Sequence, residues 1–279
     1  MNDQIQLLGR LTVRAEIRTK TGLAIGGSDT VAGISGSDQV VARDPATGEP
    51  YVPGSSLKGK LRFLVERALG VPLVPIVQSA MRRDARFIHR CLNEKDYLGS
   101  TLLPGYTGCP VCHLFGSIPD KFPIFPTRLL TRDAPLTDAS RLALVKKRTD
   151  LPYTEVKSEV VLDRLTAAAT PRQKERVLAG AAFDARWDLG LYAVDGKDLG
   201  DEKLLGLLIA ALGLLESDYL GVQGSRGYGR VEIAELKVSV AHDGGLSGEA
   251  RDLAEKLAAP GTVAKALEAA GNPLARGAA

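Results

Sequence analysis

The stretch PGSSLKGKLRFLVERALG, from Pro53 to Gly70, decides which class of fold the chain can adopt. Within it, Gly54 to Lys60 spell G-x-x-x-x-G-K, which imitates the phosphate-binding loop of nucleotide hydrolases. A true phosphate loop follows a buried apolar strand and continues with Ser or Thr, whose hydroxyl ligates magnesium. Here Leu61 follows Lys60, and the preceding GEPYVP is a proline-punctuated turn. The sequence therefore excludes an ATPase of this class.

The same stretch predicts a helix that Ser55 or Ser56 caps and that ends at Gly70. Its apolar residues recur at helical spacing on one face: Leu57, Leu61, Leu64, Val65 and Ala68. Its first two turns carry the basic residues Lys58, Lys60 and Arg62. Backbone N–H groups and the helix dipole favour an anion at such a start, so we expect either a phosphate contact or a surface helix with solvated lysines.

Composition places the chain among ordinary soluble proteins, with 279 residues, 44% hydrophobic, 25% charged and a net charge of +3. The charge is concentrated, because the range 141–176 holds nine basic and five acidic residues. No run approaches the roughly 18 apolar residues of a membrane helix, and the N-terminus lacks a signal-peptide core. We therefore expect a cytoplasmic protein with no membrane partner.

Hydrophobic patterns predict an α+β fold with a ferredoxin-like sheet backed by two helices. The predicted order is strand, helix, strand, strand, helix, strand, at 7–17, 56–70, 122–130, 183–194, 204–215 and 228–240. After this unit, 1–244, the tail 245–279 has an alanine-rich helical pattern that either docks on a partner or frays.

All three cysteines and two of the three histidines lie between positions 89 and 113, which predicts a metal site rather than disulfides. The favoured ligands of a closed structural zinc are His89, Cys91, Cys109 and Cys112, with His113 as the substitute for His89. The alternative is a set of reduced, buried cysteines without metal. A zinc deaminase is disfavoured, because it needs a Glu at position 91 and a Pro at position 108.

The stretch GVQGSRGYGRVEI, from Gly221 to Ile233, places four glycines and two arginines before a strand. Glycines let backbone amides converge on an anion, and Arg226 and Arg230 add positive charge. The pattern predicts a phosphate-binding loop or, alternatively, a tight turn in which Tyr228 is a core anchor.

Together with YTEVKSEVVLDRLTAAATPRQKER (153–176), these motifs resemble the RAMP proteins of type III CRISPR effector complexes, most closely the backbone subunit of type III-A complexes. The resemblance covers about 7–240. It implies a ferredoxin-like (RRM-like) palm that holds guide RNA, a zinc-binding insertion at 82–118, and a thumb at 135–180 that includes the basic range 141–176. It also implies as partners guide RNA, complementary target RNA, further copies of the chain and other type III effector subunits.

The resemblance implies which residues bind RNA, and among them the glycine-rich loop and the cluster Ser55, Ser56, Lys58 and Arg62 would contact guide phosphates. The RNA-binding residues are Ser55, Ser56, Lys58, Arg62, Lys157, Arg164, Gly224, Ser225, Arg226, Gly227 and Tyr228. Such contacts position RNA without reading its sequence, which base pairing reads instead.

The resemblance further implies that Asp38, six residues before Asp44 in GSDQVVARDP, cleaves target RNA. The reaction would be a divalent-ion-dependent attack of the ribose 2′-hydroxyl, with Mg²⁺ as the expected ion. The family's usual Ile before this Asp and Ser-Pro after it are absent here, and Asp29 is a competing carboxylate. The alternatives are a non-catalytic RNA-binding scaffold, a guide-processing endonuclease and a zinc hydrolase unrelated to RNA.

Overall fold

The computed structural model describes residues 4–26, 41–76, 86–117, 125–147, 149 and 151–274. In chain order its elements are β1 (Ile5–Thr19), β2 (Tyr51–Val52), α1 (Gly54–Leu69), β3 (Val74–Pro75), β4 (Phe87–Ile88), α2 (Glu94–Gly99), α3 (Pro110–Phe115), β5 (Leu129–Thr131), β6 (Ala134–Pro135), α4 (Asp138–Val145), β7 (Thr154–Leu162), β8 (Ala169–Val177), β9 (Ala182–Val194), β10 (Lys197–Asp198), α5 (Lys203–Ser217), a 3₁₀ turn (Gly224–Arg226), β11 (Val231–Asp243), α6 (Gly248–Lys256) and α7 (Val263–Ala270).

An antiparallel sheet forms the centre of the molecule, with β1 between β9 and β11. The short strands β5 and β10 both pair with the other edge of β9. Alternate residues of β1, namely Leu11, Val13, Ala15 and Ile17, are buried, because they lie on the face that is packed against the core. The apolar helix α5 is buried along nearly its whole length and contacts both α1 and β11.

The structure confirms the predicted strands at 7–17 and 183–194 and the predicted helix at 204–215. The strand predicted at 228–240 begins only at Val231, because the 3₁₀ turn and two left-handed glycines, Gly227 and Gly229, precede it. Of the strand predicted at 122–130, the structure describes 125–130, and within that range only Leu129 and Leu130 belong to a strand, β5.

Helix α1 ends at Gly70 as predicted, with a left-handed φ of 64°, but its start differs from the prediction. Neither serine caps it; Pro53 occupies the cap position, and the Gly54 N–H donates to Asp133 Oδ1 at 2.7 Å. A Cβ on Gly54 would lie 2.6 Å from the Thr131 carbonyl oxygen, so glycine is needed for close packing against β5. Ala68 is exposed rather than buried.

Strands β7 and β8 form a separate hairpin, paired from Thr154–Val177 at its base to Leu162–Ala169 near its tip. At the tip, Asp163 accepts hydrogen bonds from the backbone N–H groups of Leu165 and Thr166. The Leu165 side chain is 96% exposed. The hairpin therefore extends away from the core with an apolar end.

The tail contains α6 and α7, which pack on β11 and α5 through Ala250, Ala254, Val263 and Ala266. Within the described ranges, no helix combines the length and the apolar character that a membrane span requires.

Candidate functional site

Four predicted metal ligands come together in the structure: His89, Cys91, Cys109 and Cys112. Their ligand atoms all lie within 4.8 Å of one another, and all four residues are buried. Cys109 caps α3, since its Sγ accepts from the Cys112 N–H at 3.5 Å. Two further contacts close the cluster: His89 Nε2 lies 3.2 Å from Cys109 Sγ, and Cys91 Sγ lies 3.7 Å from Cys112 Sγ.

The orientation of His89 suits a metal ligand. Its Nδ1 lies 2.9 Å from the Pro72 carbonyl oxygen, which can only accept, so Nδ1 carries the proton. The lone pair of Nε2 then faces the three sulfurs, as in metal sites whose histidine is held by a backbone carbonyl. The cluster can therefore hold a metal ion.

His113 lies outside this cluster. Its Nδ1 is 2.5 Å from the Tyr106 hydroxyl oxygen, and its ring lies edge-on against Tyr97. Burial, together with the charge of Arg128, lowers the pKa of His113 to about 3, so the ring is neutral at physiological pH. The structure thus places His89, rather than the substitute His113, in the cluster with the three cysteines.

A buried ion pair lies next to the segment that contains the His/Cys cluster, residues 86–117. Arg128 and Asp201 both have fully buried side chains, and Arg128 Nε donates to Asp201 Oδ2 at 3.1 Å. Asp201 also accepts from the Tyr106 hydroxyl and the Tyr192 N–H. Burial raises the pKa of Asp201, although the charge of Arg128 opposes the shift. Sequence reasoning missed this pair, because its two members are far apart in the chain and no motif includes them.

Lys58 and Arg62, the two basic residues of α1 that were predicted to bind RNA, form hydrogen bonds within the protein. Lys58 Nζ donates to the Leu129 carbonyl at 3.0 Å, and burial followed by the charge of Arg62 lowers its pKa. Arg62 donates to Glu66 and to the carbonyls of His89 and Gly116. These bonds connect α1 to the segment that contains the His/Cys cluster. Of the two serines, Ser55 is exposed and Ser56 half-buried.

Helix α1 and the glycine loop (221–230) adjoin through Tyr219. Lys60 Nζ lies 3.7 Å from the centre of the Tyr219 ring and pairs with Asp218 at 3.0 Å. On the loop, a Cβ at Gly224 would lie 1.9 Å from the same ring, so only glycine fits there. The two glycine-containing regions predicted to contact phosphate therefore share one side of the molecule.

The glycine loop also contacts the hairpin, through Tyr228. This residue is 1% exposed, and its hydroxyl donates to Glu159 Oε1 at 2.6 Å. Lys157 Nζ and Arg176 Cζ lie 4.8 and 5.0 Å from its ring centre. Burial, with the neighbouring Glu159, raises the pKa of Tyr228 to about 12. Tyr228 thus has the geometry of the core anchor that the sequence left open as an alternative.

A depression of about 520 Å³ lies between the hairpin and the loop. Its lining residues are Glu159, Val160, Val161, Leu162, Arg164 and Arg226. The last two are exposed, as are Ser225 and Gly227, while Gly224 is half-buried. The hydrogen bond from Tyr228 lowers the pKa of Glu159, with Lys174, Lys157 and Arg226 adding to the shift. The structure therefore places Arg164 and Arg226 on one depression with an apolar wall, and Lys157 Nζ lies 3.8 Å from Glu159, which also lines it.

Asp38 and Asp29 lie outside the described residues, but the structure describes both ends of the segment that contains them. Gly26 pairs with Val41, and the Ala42 N–H donates to the Ile25 carbonyl at 3.0 Å. Next to these ends, the Val222 N–H of the glycine loop donates to the Ala24 carbonyl. The two residues that flank the segment, Gly26 and Val41, are therefore neighbours, and they lie beside the glycine loop.

The base of the hairpin lies at the same point. Glu175, which is 2% exposed, accepts from the Val41 N–H at 3.2 Å, from Arg43 at 2.6 Å and from the Thr154 hydroxyl at 2.7 Å. The sequence does not predict this contact, because Glu175 is one of five acidic residues in the range 141–176 and no pattern distinguishes it from the others.

Comparisons with known proteins agree with one another. A family model described as the RAMP superfamily matches residues 16–232. A protein named "CRISPR system Cms endoribonuclease Csm3" from Streptococcus thermophilus is 38% identical over 231 residues, covering 82% of this chain and 90% of the relative. A protein of the same name from Mycobacterium tuberculosis is 34% identical over 266 residues, covering 91% and 94%. The crystal structure of Csm3 from Methanopyrus kandleri superposes with a TM-score of 0.51 at 28% identity, covering 85% of this chain and 79% of that one.

Proposed function

The chain belongs to the RAMP superfamily, and from that premise we propose that it is a guide-RNA-binding backbone subunit of a type III CRISPR effector complex that cleaves complementary target RNA. The observation that carries this proposal is the meeting of α1, the glycine loop and the basic hairpin on one side of the molecule. The curated relatives carry the name of a CRISPR endoribonuclease.

In this proposal the central sheet is a ferredoxin-like palm. The strand order β11-β1-β9-β5, with α1 and α5 between the strands in sequence, supports it. The hairpin within 135–180 is the thumb, and its exposed apolar end suits contact with unstacked bases. The cluster within 82–118 is a structural site, and zinc is the ion that three thiolates and one imidazole favour.

Phosphate contacts would come from Arg164 and Arg226, the exposed cations that line the depression, from the half-buried Lys157 beside Glu159, and from the backbone of Gly224, Ser225 and Gly227. Lys58 and Arg62 would act mainly by holding α1 in place, because internal carbonyls already accept their hydrogen bonds. Tyr228 would not contact RNA directly, because its side chain is buried.

We propose Asp38 as the residue that cleaves target RNA, with a divalent ion, for which Mg²⁺ is expected. Support comes from the point at which its segment joins the described structure, between the base of the thumb and the glycine loop. The further partners in this proposal are target RNA, additional copies of the chain and other type III subunits, and the location is cytoplasmic.

The test uses the assembled complex with guide RNA and labelled complementary RNA. We expect Asp38→Ala to abolish target cleavage while guide and target remain bound, because only the carboxylate that would bind the divalent ion or orient the 2′-hydroxyl is lost. Asp29→Ala is the matched control and should cleave as the unchanged chain does. Undiminished cleavage by Asp38→Ala would reject this catalytic assignment, and absence of nucleic acid from the purified particle would reject the function as a whole.

A further inference from the structure

Tyr228 is held in place by its backbone as well as by its ring. It stands between Gly227 and Gly229, which have φ values of 84° and 70°. A Cβ on Gly229 would lie 2.0 Å from the Leu220 carbonyl oxygen, and the Gly229 N–H donates to the Gly22 carbonyl at 3.0 Å. The direction of the Tyr228 side chain is therefore fixed relative to the palm.

The same side chain contacts both strands of the hairpin. Its hydroxyl donates to Glu159 of β7, and its ring centre lies 4.8 Å from Lys157 Nζ of β7 and 5.0 Å from Arg176 Cζ of β8. Arg176 is itself held on β8 by Glu155 at 2.7 Å, and a Cβ on Gly22 would lie 2.3 Å from the Arg176 side chain. We call this set, Tyr228 with Lys157, Glu159 and Arg176, the tyrosine clasp.

Apart from the clasp, the hairpin has few contacts with the other described residues. Its strands pair with each other, and its fully buried residues, Thr154, Glu175 and Val177, all lie at the base. Among the described residues, Glu159 is the position nearest the tip whose side chain bonds to the palm. A hairpin that is attached only at its base can change its angle to the central sheet. A second contact, closer to the tip, would fix that angle.

We propose that Tyr228 is a positioning residue that sets the angle of the hairpin on the palm, and so brings Lys157, Arg164 and Arg226 to bear on one RNA strand. This inference rests on the proposed function. The clasp also partly compensates the negative charge of Glu159, because the Tyr228 hydroxyl donates to this carboxylate and Lys157 Nζ lies 3.8 Å from it. The RNA ligand benefits because a pre-set hairpin does not have to be ordered during binding.

The first test is hydrogen exchange of the full-length chain, followed by mass spectrometry. A hydrogen bond to an ionised acceptor shifts an opening equilibrium by about tenfold. We therefore expect Tyr228→Phe to speed exchange across β7 and β8 by about tenfold and to leave β1 and β9 unchanged. Tyr192→Phe is the matched control, because it also removes one hydroxyl from a ring near an arginine, Arg128. It should leave the hairpin at its original rate.

A variant cycle separates the clasp from general destabilisation. Glu159→Ala should speed hairpin exchange as Tyr228→Phe does, and the double variant should add nothing, because both remove the same contact. Glu159→Gln keeps an acceptor oxygen and should restore most of the protection. Additive effects, or faster exchange in the central sheet as well, would overturn the positioning role.

The second test measures the dissociation constant of guide-length RNA for the same chains. A hairpin that is correctly set only part of the time weakens apparent affinity by that fraction, so Tyr228→Phe should bind several-fold more weakly. Unchanged affinity with faster exchange would overturn the link to RNA. If the unchanged chain binds no RNA, the proposed function fails, while the exchange experiment still decides whether the clasp sets the hairpin.

Discussion

The buried ion pair next to the His/Cys cluster and the tyrosine clasp both use hydrogen bonds to a carboxylate, but in opposite surroundings. In the first, Arg128 and Asp201 are completely buried, and Tyr106 and a backbone N–H complete the carboxylate's hydrogen bonds. In the second, a tyrosine and a glutamate are linked in the same way, but Lys157 remains 40% exposed beside them. The difference indicates that the first region is shielded from water, whereas the second joins the partly exposed hairpin to the glycine loop.

The largest effect should follow from breaking the buried pair. Arg128→Ala leaves the Asp201 carboxylate buried and unpaired, which should lower the free energy of unfolding by about 3–5 kcal/mol. Urea denaturation measures the change. Arg132→Ala is the control, because Arg132 pairs with Asp188 but is 55% exposed, and its loss should cost about 1 kcal/mol or less. Equal costs would contradict the contrast between the two regions.

Removal of the proposed zinc ion should have the next largest effect on stability. A structural ion present at a thousandfold its dissociation constant stabilises the folded state by about 4 kcal/mol, so a chelator should lower the thermal midpoint. Zinc should restore it in the unchanged chain and not in Cys109→Ser. His113→Gln should respond to zinc as the unchanged chain does, since His113 lies outside the cluster. A midpoint that ignores chelator would favour metal-free cysteines.

The base of the hairpin should be less costly to disturb. Glu175→Ala removes the acceptor of three hydrogen bonds, but Arg43 is 24% exposed and can be partly hydrated, so we expect a loss of about 1–3 kcal/mol. Thermal or urea denaturation gives the value. Glu175→Gln keeps one acceptor and should lose less. A larger loss than that of Arg128→Ala would show that the hairpin base, not the buried pair, dominates stability.

The exposed cations should matter for RNA and hardly at all for stability. Replacing both Arg164 and Arg226 by Ala should reduce the slope of log affinity against log salt by about 2, with stability within about 0.5 kcal/mol of the original. Lys20→Ala, which removes an exposed cation that pairs with Glu232, is the control. An equal loss of RNA affinity in the control would mean that binding depends on net charge alone.

The smallest effect on stability should come from the tip. Leu165→Ala should leave the free energy of unfolding within about 0.5 kcal/mol, because the side chain is 96% exposed. A clear loss would indicate that the tip packs against another surface in solution. Chemical denaturation of the dilute full-length chain is the measurement.

Periodicity predicted β1, β9 and α5, because each buries a whole face and so repeats its apolar residues regularly. It failed where a single contact decides, since Asp133 and not a serine accepts the hydrogen bond at the start of α1. Spacing predicted that His89 and the three cysteines come together. The choice of His89 over His113 depended on Pro72 and Tyr106, which no local pattern connects to them. The burial of Tyr228 likewise depends on the hairpin.

The carboxylate of Asp133 at the start of α1 has a consequence for which anions this surface can select. Because the Asp133 carboxylate already accepts the Gly54 N–H, a free inorganic anion would have to displace it in order to bind at the start of α1, where the sequence imitates a nucleotide site. A long polymer can succeed where the monomer does not, because its neighbouring linkages are gripped elsewhere and it need not displace the resident group. The surface would then discriminate by chain length, without any pocket that measures size.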